Sequence, residues 1–252
     1  MGEKYWDWVE RPLPGKPRFF EGEFYETFSK TAWWVVPLIW LPVAAAAAAV
    51  SLRELADDAA SAALSAAAQQ EHDPQQQPRG AWDGPAAAAA LPRLAGLVFA
   101  GVALWQLLEY SIHRFAFHAR GAGYWAITIH FLFHGCHHKY PSDGLRLVFP
   151  PVPAAAIASL IYSAARLALA RGPALGLMAG VVLGYVAYDC THYALHHGGK
   201  LPLGFLRRLR ARHEHHHYQD GTRGFQISSV LFDVVFGTSM RPDAGRRARA
   251  AK

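Results

Sequence analysis

Long uncharged apolar runs alternate with polar stretches along this chain, and the runs set the first expectation. Residues 31–52, TAWWVVPLIWLPVAAAAAAVSL, carry no charge and have the length of one membrane crossing. Trp33, Trp34 and Trp40 suit an interfacial anchor, and the two prolines in the run are tolerated better in membrane helices than in soluble ones. Residues 94–112, 147–165 and 172–188 are read as the second, third and fourth crossings. The last two are short and fit a tilted or hairpin arrangement. Residues 53–92 break the pattern. They are rich in Ala, Gln and Pro, and are expected to form a low-complexity loop with a short Ala-rich helix before Pro74. Buried soluble helices would explain the same runs only if they were unusually long. The expected architecture is therefore all-α and polytopic, a single domain of four transmembrane helices with a histidine-rich helical cap.

Lys and Arg orient it. Five precede Thr31, eleven follow Tyr188, four lie between His113 and Arg146, and few lie in the other loops. An even number of crossings with positive residues inside puts both termini and all the histidine groups on the cytosolic side, and the 53–92 loop on the lumenal side. Residues 241–252 read as a basic tail. No cleaved signal pattern is expected at the N-terminus. The net charge of +6 does not indicate nucleic acid, because the basic residues flank apolar runs.

Composition adds one unusual number. Of 14 histidines, all but His72 fall between His113 and His217. Four groups stand out: His113 with His118; His134, His137 and His138; His192 with His196; and His213, His216 and His217. Ten imidazoles would give two metals about five ligands each. His192 and His196 are four apart and share one helix face. The second and fourth groups each offer pairs three or four apart. His113 and His118 are five apart, off-face on a regular helix, so they either serve different metals or a helix ends between them. Imidazole suits Fe and Zn and is available unprotonated near neutral pH. His130, His197 and His215 are read as interfacial or structural, and Cys136 as a small core residue. Two free thiols facing the cytosol call for no disulfide. Glu109 and Asp189, at the ends of apolar runs, and Asp143 are candidates to orient ligating imidazoles; Glu214 and Asp220 are weaker ones.

A closed structural zinc site needs four ligands rather than ten. Histidine clusters beside apolar helices suit a harder problem. An unactivated C–H bond has no acid–base handle and requires a metal-borne oxidant. In that context the stretches EYSIHRFAFH at 109–118, HFLFHGCHHKYPSDGLRLVFPP at 130–151, YDCTHYALHHG at 188–198 and RHEHHHYQDGTRGFQISSVLFDVVFGT at 212–238, with SKTAWWVVPLIWLPV at 29–43, resemble the fatty acid 2-hydroxylases of the fatty acid hydroxylase and sterol desaturase superfamily. The resemblance spans nearly all of the chain except the first fifteen or so residues, 53–92 and the basic tail. It implies a four-helix bundle in the endoplasmic reticulum membrane and the ten histidines above as metal ligands. The metals would be two ions, functionally iron, with zinc found on purification. The implied reaction uses O2 to hydroxylate the carbon next to an acyl carbonyl, on ceramide or a very-long-chain fatty acid, with electrons from cytochrome b5 and its NADH-dependent reductase.

Many such relatives carry a fused cytochrome b5 domain with an HPGG motif; here some thirty histidine-free residues precede the first run, so a separate donor is expected. No flavin or G-x-G-x-x-G fingerprint follows a strand. A basic patch of Lys200, Arg207, Arg208, Arg210 and Arg212 lies close in sequence to His196 and His213 and could dock an acidic donor; the same residues also fit a topology signal or lipid contact. Residues 224–237, GFQISSVLFDVVFG, have helix-like apolar spacing from Ile227 and are too short to span. They are expected either to lie on the membrane surface beside the lipid's route to the metals or to pack in the core. Sterol desaturases, sterol methyl oxidases and carotenoid hydroxylases remain rivals, as does a metal transporter. The transporter would need ionisable groups in mid-bilayer, where this chain has few.

Overall fold

The computed structural model describes residues 2, 4–69 and 85–240, and among them every regular element is a helix. In chain order these are α1 (Lys4–Val9), α2 (Glu23–Phe28), α3 (Val35–Gln69), α4 (Pro85–Ser111), a π-helix π1 (Ile112–Phe117), α5 (Tyr124–His130), a second π-helix π2 (Phe131–Gly135), α6 (Cys136–Lys139), α7 (Pro151–Arg166), α8 (Arg171–His197), α9 (Gly204–Tyr218) and α10 (Leu231–Val235). Three stretches are long and apolar enough to cross a membrane: Val35–Ala66, Ala86–Phe117 and Arg171–His197. The expected third crossing is smaller than the sequence suggested. Helix α7 has 16 residues, because Leu147 to Pro150 stay outside it and the proline pair at 150–151 starts it. The segment expected as a loop with a short Ala-rich helix before Pro74 is helical at both ends: α3 runs on without a break to Gln69 and α4 begins at Pro85. The Ala-rich composition that looked like low complexity also has the highest helix propensity. His72 and the basic tail lie outside the described residues.

The chain divides into two compact units. One comprises Trp34–Trp105 and Pro150–Val186. Its helix pair α4 and α8 packs through small residues. A Cβ on Gly101 would strike the Leu177 carbonyl, and one on Gly180 would strike the Val98 carbonyl. Gly184 leaves room for the Trp105 indole. Close backbone approach of this kind is how helices associate where lipid removes the hydrophobic drive. Many large apolar side chains of this unit point outward, among them Leu38, Leu41, Phe99, Val152 and Leu160, as expected of a surface that meets hydrocarbon.

The other unit comprises Met1–Trp33, Gln106–Phe149 and Ala187–Lys252 and holds every histidine cluster. Its N-terminal segment is fastened by two buried cations. The Lys139 ammonium donates to the carbonyls of Trp8 and Arg11, both at 2.7 Å, and lies over the Trp8 ring. Arg146 donates to Glu26 at 2.6 Å, to Asp143 at 2.7 Å and to the Pro17 carbonyl at 3.0 Å, and its guanidinium covers Phe19. Hydrogen bonds from Lys30, from the Phe19 and Phe20 backbone and from Arg146 hold the Glu26 carboxyl well below the usual carboxylate range. The sign follows. A depressed folded-state pKa contributes stability above the unfolded carboxylate pKa of about 4.3, and that stability fades as pH falls through the lower folded value. Arg146→Ala leaves the buried Asp143 without its cation and Glu26 with Lys30 alone. It should lower the thermal midpoint at neutral pH, and the deficit should shrink on acidification. An unchanged midpoint would show that the network is dispensable.

Candidate metal centre

The sequence places the histidines on helices; the two π-helices bring them together. A π-turn closes from residue i to i+5, and the His118 N–H donates to the His113 carbonyl at 3.1 Å. Residues five apart therefore share a face in π1. Of the two expectations, divergence to different metals fails because both join one cluster, whereas a helix end between them is found: π1 stops at Phe117 and His118 caps it. Across π2 and α6, His134 and His138 turn to one cluster and His137 to the other.

Two groups of five imidazoles result. His113, His118, His134, His138 and His216 offer nitrogens that all lie within 4.8 Å of one another, and so do His137, His192, His196, His213 and His217. All ten expected residues are included. In α9, His213 and His217 are four apart and share the second group, while His216 between them faces the first. His130, His197 and His215 are outside both groups. The His130 Nδ1 pairs with the Tyr5 hydroxyl at 2.6 Å, and His197 lies exposed beside Tyr193. Cys136 is also outside; burial pushes its thiol up to about 12, and its Sγ leans on the Leu132 carbonyl.

The donor set fits metal ions on geometric grounds. The Nε2 atoms of His113, His118 and His134 form a triangle with sides of 3.1–3.2 Å, and the His216 Nε2 lies 3.0 Å from that of His118. In the second group, the Nε2 atom of His213 lies 2.8–3.0 Å from those of His192, His196 and His217. The His113 Nδ1 meets the Phe225 carbonyl and the His216 Nδ1 meets the Arg223 carbonyl at 2.7 Å. A carbonyl only accepts, so Nδ1 carries the proton in both rings and Nε2 presents a lone pair. Lone pairs converging without a donor repel each other, and a cation among them reverses the sign. The His138 Nε2 is buried with no hydrogen-bond partner. Burial, and after it the charge of neighbouring imidazoles, holds His134, His138, His213 and His217 well below the usual histidine range, so the rings stay unprotonated.

The candidate carboxylates act at one remove. Glu109 was expected to meet an imidazole. Instead it accepts the N–H groups of Ile227 at 2.7 Å and Ser228 at 2.8 Å, and the Ser228 hydroxyl. It thereby holds the strap whose Phe225 carbonyl orients His113. Asp143 pairs with Arg146 and caps the Leu145 N–H, which makes it a turn anchor instead of a partner for a histidine. Asp189 accepts the Phe149 N–H at 3.1 Å. Sequence reading missed a further carboxylate that holds the strap. Asp233 is fully buried and accepts from the N–H groups of Phe225 (3.0 Å) and Gln226 (3.1 Å), the Thr238 hydroxyl (2.7 Å) and Arg212 (3.4 Å). It stood out only as a charge that interrupts an apolar run.

That carboxylate also explains why 224–237 is not one surface helix. Gly224 has φ of 71°, and Asp233 draws the next two N–H groups into a turn, so 225–227 are buried and only Leu231–Val235 is α-helical. Leu231, Val234, Val235 and Phe236 remain exposed.

Comparison with known proteins agrees with the site. Residues 98–238 match the family model described as fatty acid hydroxylase. The chain is similar to the dihydroceramide fatty acyl 2-hydroxylase FAH2 of Arabidopsis thaliana, at 38% identity over 94% of this chain and 87% of that one. It is also 38% identical to the fatty acid 2-hydroxylase of Homo sapiens, over 94% of this chain and 60% of that one. The solved structure "Full length scs7p (only hydroxylase domain visible)" superimposes with a TM-score of 0.74 at 35% identity, covering 95% of this chain and 79% of that chain. With most of its length matched at this level and all four histidine groups inside the matched segment, the chain belongs to the fatty acid hydroxylase family.

Proposed function

We propose that this protein is a membrane-embedded fatty acid 2-hydroxylase that acts on long acyl chains of ceramide or its precursors. Two buried five-histidine clusters in one unit carry this reading, in a chain whose relatives are named as fatty acyl 2-hydroxylases. The reaction balances as C–H + O2 + 2 electrons + 2 protons → C–OH + H2O. The ten histidines of the two clusters would hold two iron ions, which would supply the O2 and one-electron chemistry that an unactivated C–H bond requires.

The chain's own residues do the remaining work. The Phe225 and Arg223 carbonyls fix the tautomers and ring orientations of His113 and His216. Glu109 and Asp233 hold the 225–228 strap against the first cluster. The exposed apolar residues of α10 meet the membrane surface. In the bilayer, α7 serves as a short fourth crossing beside the three long candidates, which puts both termini and the clusters on the cytosolic side of the endoplasmic reticulum membrane. Expression in a host without its own 2-hydroxylase should yield 2-hydroxy fatty acids by mass spectrometry. A sterol or carotenoid product, or none, would overturn the reading.

Electrons come from cytochrome b5, kept reduced by its NADH-dependent reductase, and cytochrome b5 docks on the basic face of α9. Arg207 donates to the Leu201 and Pro202 carbonyls and Arg210 to those of Gly199 and Ala194, so both also shape the loop after α8. Arg208 is exposed and is the cleaner probe. Arg208→Gln should slow cytochrome b5-dependent turnover at low salt, and the gap should close at high salt as screening removes the attraction. Parent-level turnover at low salt would leave the patch to lipid or topology.

A further inference from the structure

Between Gly121 and His138 the chain has no Asp, Glu, Lys or Arg, yet none of residues 121–133 is buried. Along α5 and π2, Tyr124, Trp125, Ile129, Leu132 and Phe133 are exposed, at 73%, 72%, 54%, 41% and 40% of their surface. The same two helices carry His134 into the first cluster. An uncharged helix with large rings outside and a cluster histidine inside is an unusual surface for water. A candidate membrane span ends at Phe117, seven residues before α5 begins, so this face starts beside the end of a span. That continuity selects hydrocarbon chains of the bilayer as its occupant.

From this face three rings lead inward. Phe133 packs on Phe149 with centroids 5.5 Å apart and planes 31° apart. Phe149 stacks on Phe117 at 5.7 Å and 28°, and Phe117 stacks on His134 at 5.0 Å and 21°. Each ring is inclined by only 21–31° to the next, and the ring-to-ring contacts run without a break from an exposed ring to a histidine of the first cluster, an apolar rail. The Phe149 backbone is fixed by the buried Asp189 carboxylate. None of the three phenylalanines has polar chemistry to contribute; what they offer is shape.

We propose that Phe133, Phe149 and Phe117 guide the acyl chain, and that the inner two set which carbon is presented to the metals. This rests on the hydroxylase reading and refines it. An acyl chain entering over α5 and π2 lies along the rail. Phe133 contributes at the mouth, where loss weakens binding without changing register. Phe117 and Phe149 contribute beside the cluster, where a lost ring lets the chain slide. A misplacement of about 1 Å at a reacting centre can cost about a hundredfold in rate, so register is where selectivity arises.

The test uses the full-length enzyme in lipid nanodiscs with cytochrome b5, its reductase, NADH and a very-long-chain ceramide. Product position, KM and metal content are read together. Phe117→Ala and Phe149→Ala should raise the share of product hydroxylated away from the parent position by about tenfold, the scale at which a pocket senses a methylene or two. Phe133→Ala should raise KM by about tenfold and leave the position unchanged. Phe149→Leu, which keeps bulk without a ring, should restore most of the parent pattern, and it carries the test if an alanine variant loses metal. Parent position and KM in Phe117→Ala, Phe149→Ala and Phe133→Ala, each with full metal content, would overturn the proposal. So would a positional shift equal for Phe133→Ala and Phe117→Ala, which would mean general loosening. If the parent hydroxylates some other carbon, only the 2-position reading falls, because the variants still show whether the stack sets that position.

Discussion

His113→Ala, His196→Ala and His217→Ala should each reduce hydroxylation by at least about a hundredfold while leaving the chain in the membrane. The scale follows from a comparison: loss of a group that merely orients a metal-bound histidine typically costs 10–100-fold, and loss of the imidazole itself should cost at least that. The three residues sample both clusters and three different helices. His113 belongs to the first cluster; His196 and His217 belong to the second. His197→Ala is the matched control, because that ring is exposed and outside both clusters. Product formation in a host without its own 2-hydroxylase, normalised to membrane-inserted protein, is the measurement. Full activity in any two of the three would sink the ten-histidine account.

Asp233→Ala should separate the two clusters. Its carboxylate is the only hydrogen-bond acceptor seen for the buried N–H groups of Phe225 and Gln226 among the described residues, and each unsatisfied group costs about 1–3 kcal/mol. The strap then loosens where the Phe225 carbonyl orients His113 and the Arg223 carbonyl orients His216, both in the first cluster. Equilibrium dialysis should show the first metal weakened by about 10–100-fold and the second nearly unchanged. Glu109→Ala should act in the same direction, since it holds the next two residues of the strap. Equal weakening of both metals would mean that the strap supports the whole unit instead of one cluster.

Much of the site was legible because histidine is scarce and its spacing is local. The i,i+4 pair His192 with His196 read directly as a shared face, whereas spacing left His213's partner open between His216 and His217, and the apolar runs marked the long helices. What stayed hidden depends on backbone geometry or on distant partners. A five-residue interval means divergence on an α-helix and convergence on a π-helix, and no residue between His113 and His118 announces which will form. Arg146 meets Glu26 across 120 positions, so neither looks important where it stands. Asp233 looked like an interruption because its partners at 225 and 226 supply backbone N–H groups, which any residue there would carry. At residues 53–69 the Ala-rich helix expected before Pro74 is present, but as a continuation of α3 and not as a separate short helix.

The central claim is that one unit holds two separate metals, one in each five-histidine cluster. It is tested most directly by counting metal per folded chain in the purified full-length protein in lipid, with His118→Ala and His192→Ala measured alongside. The account predicts two ions in the parent. His118→Ala should lose chiefly the first cluster's ion and His192→Ala chiefly the second's, each retaining close to one. A parent that binds a single ion, or variants that both retain two, would contradict it.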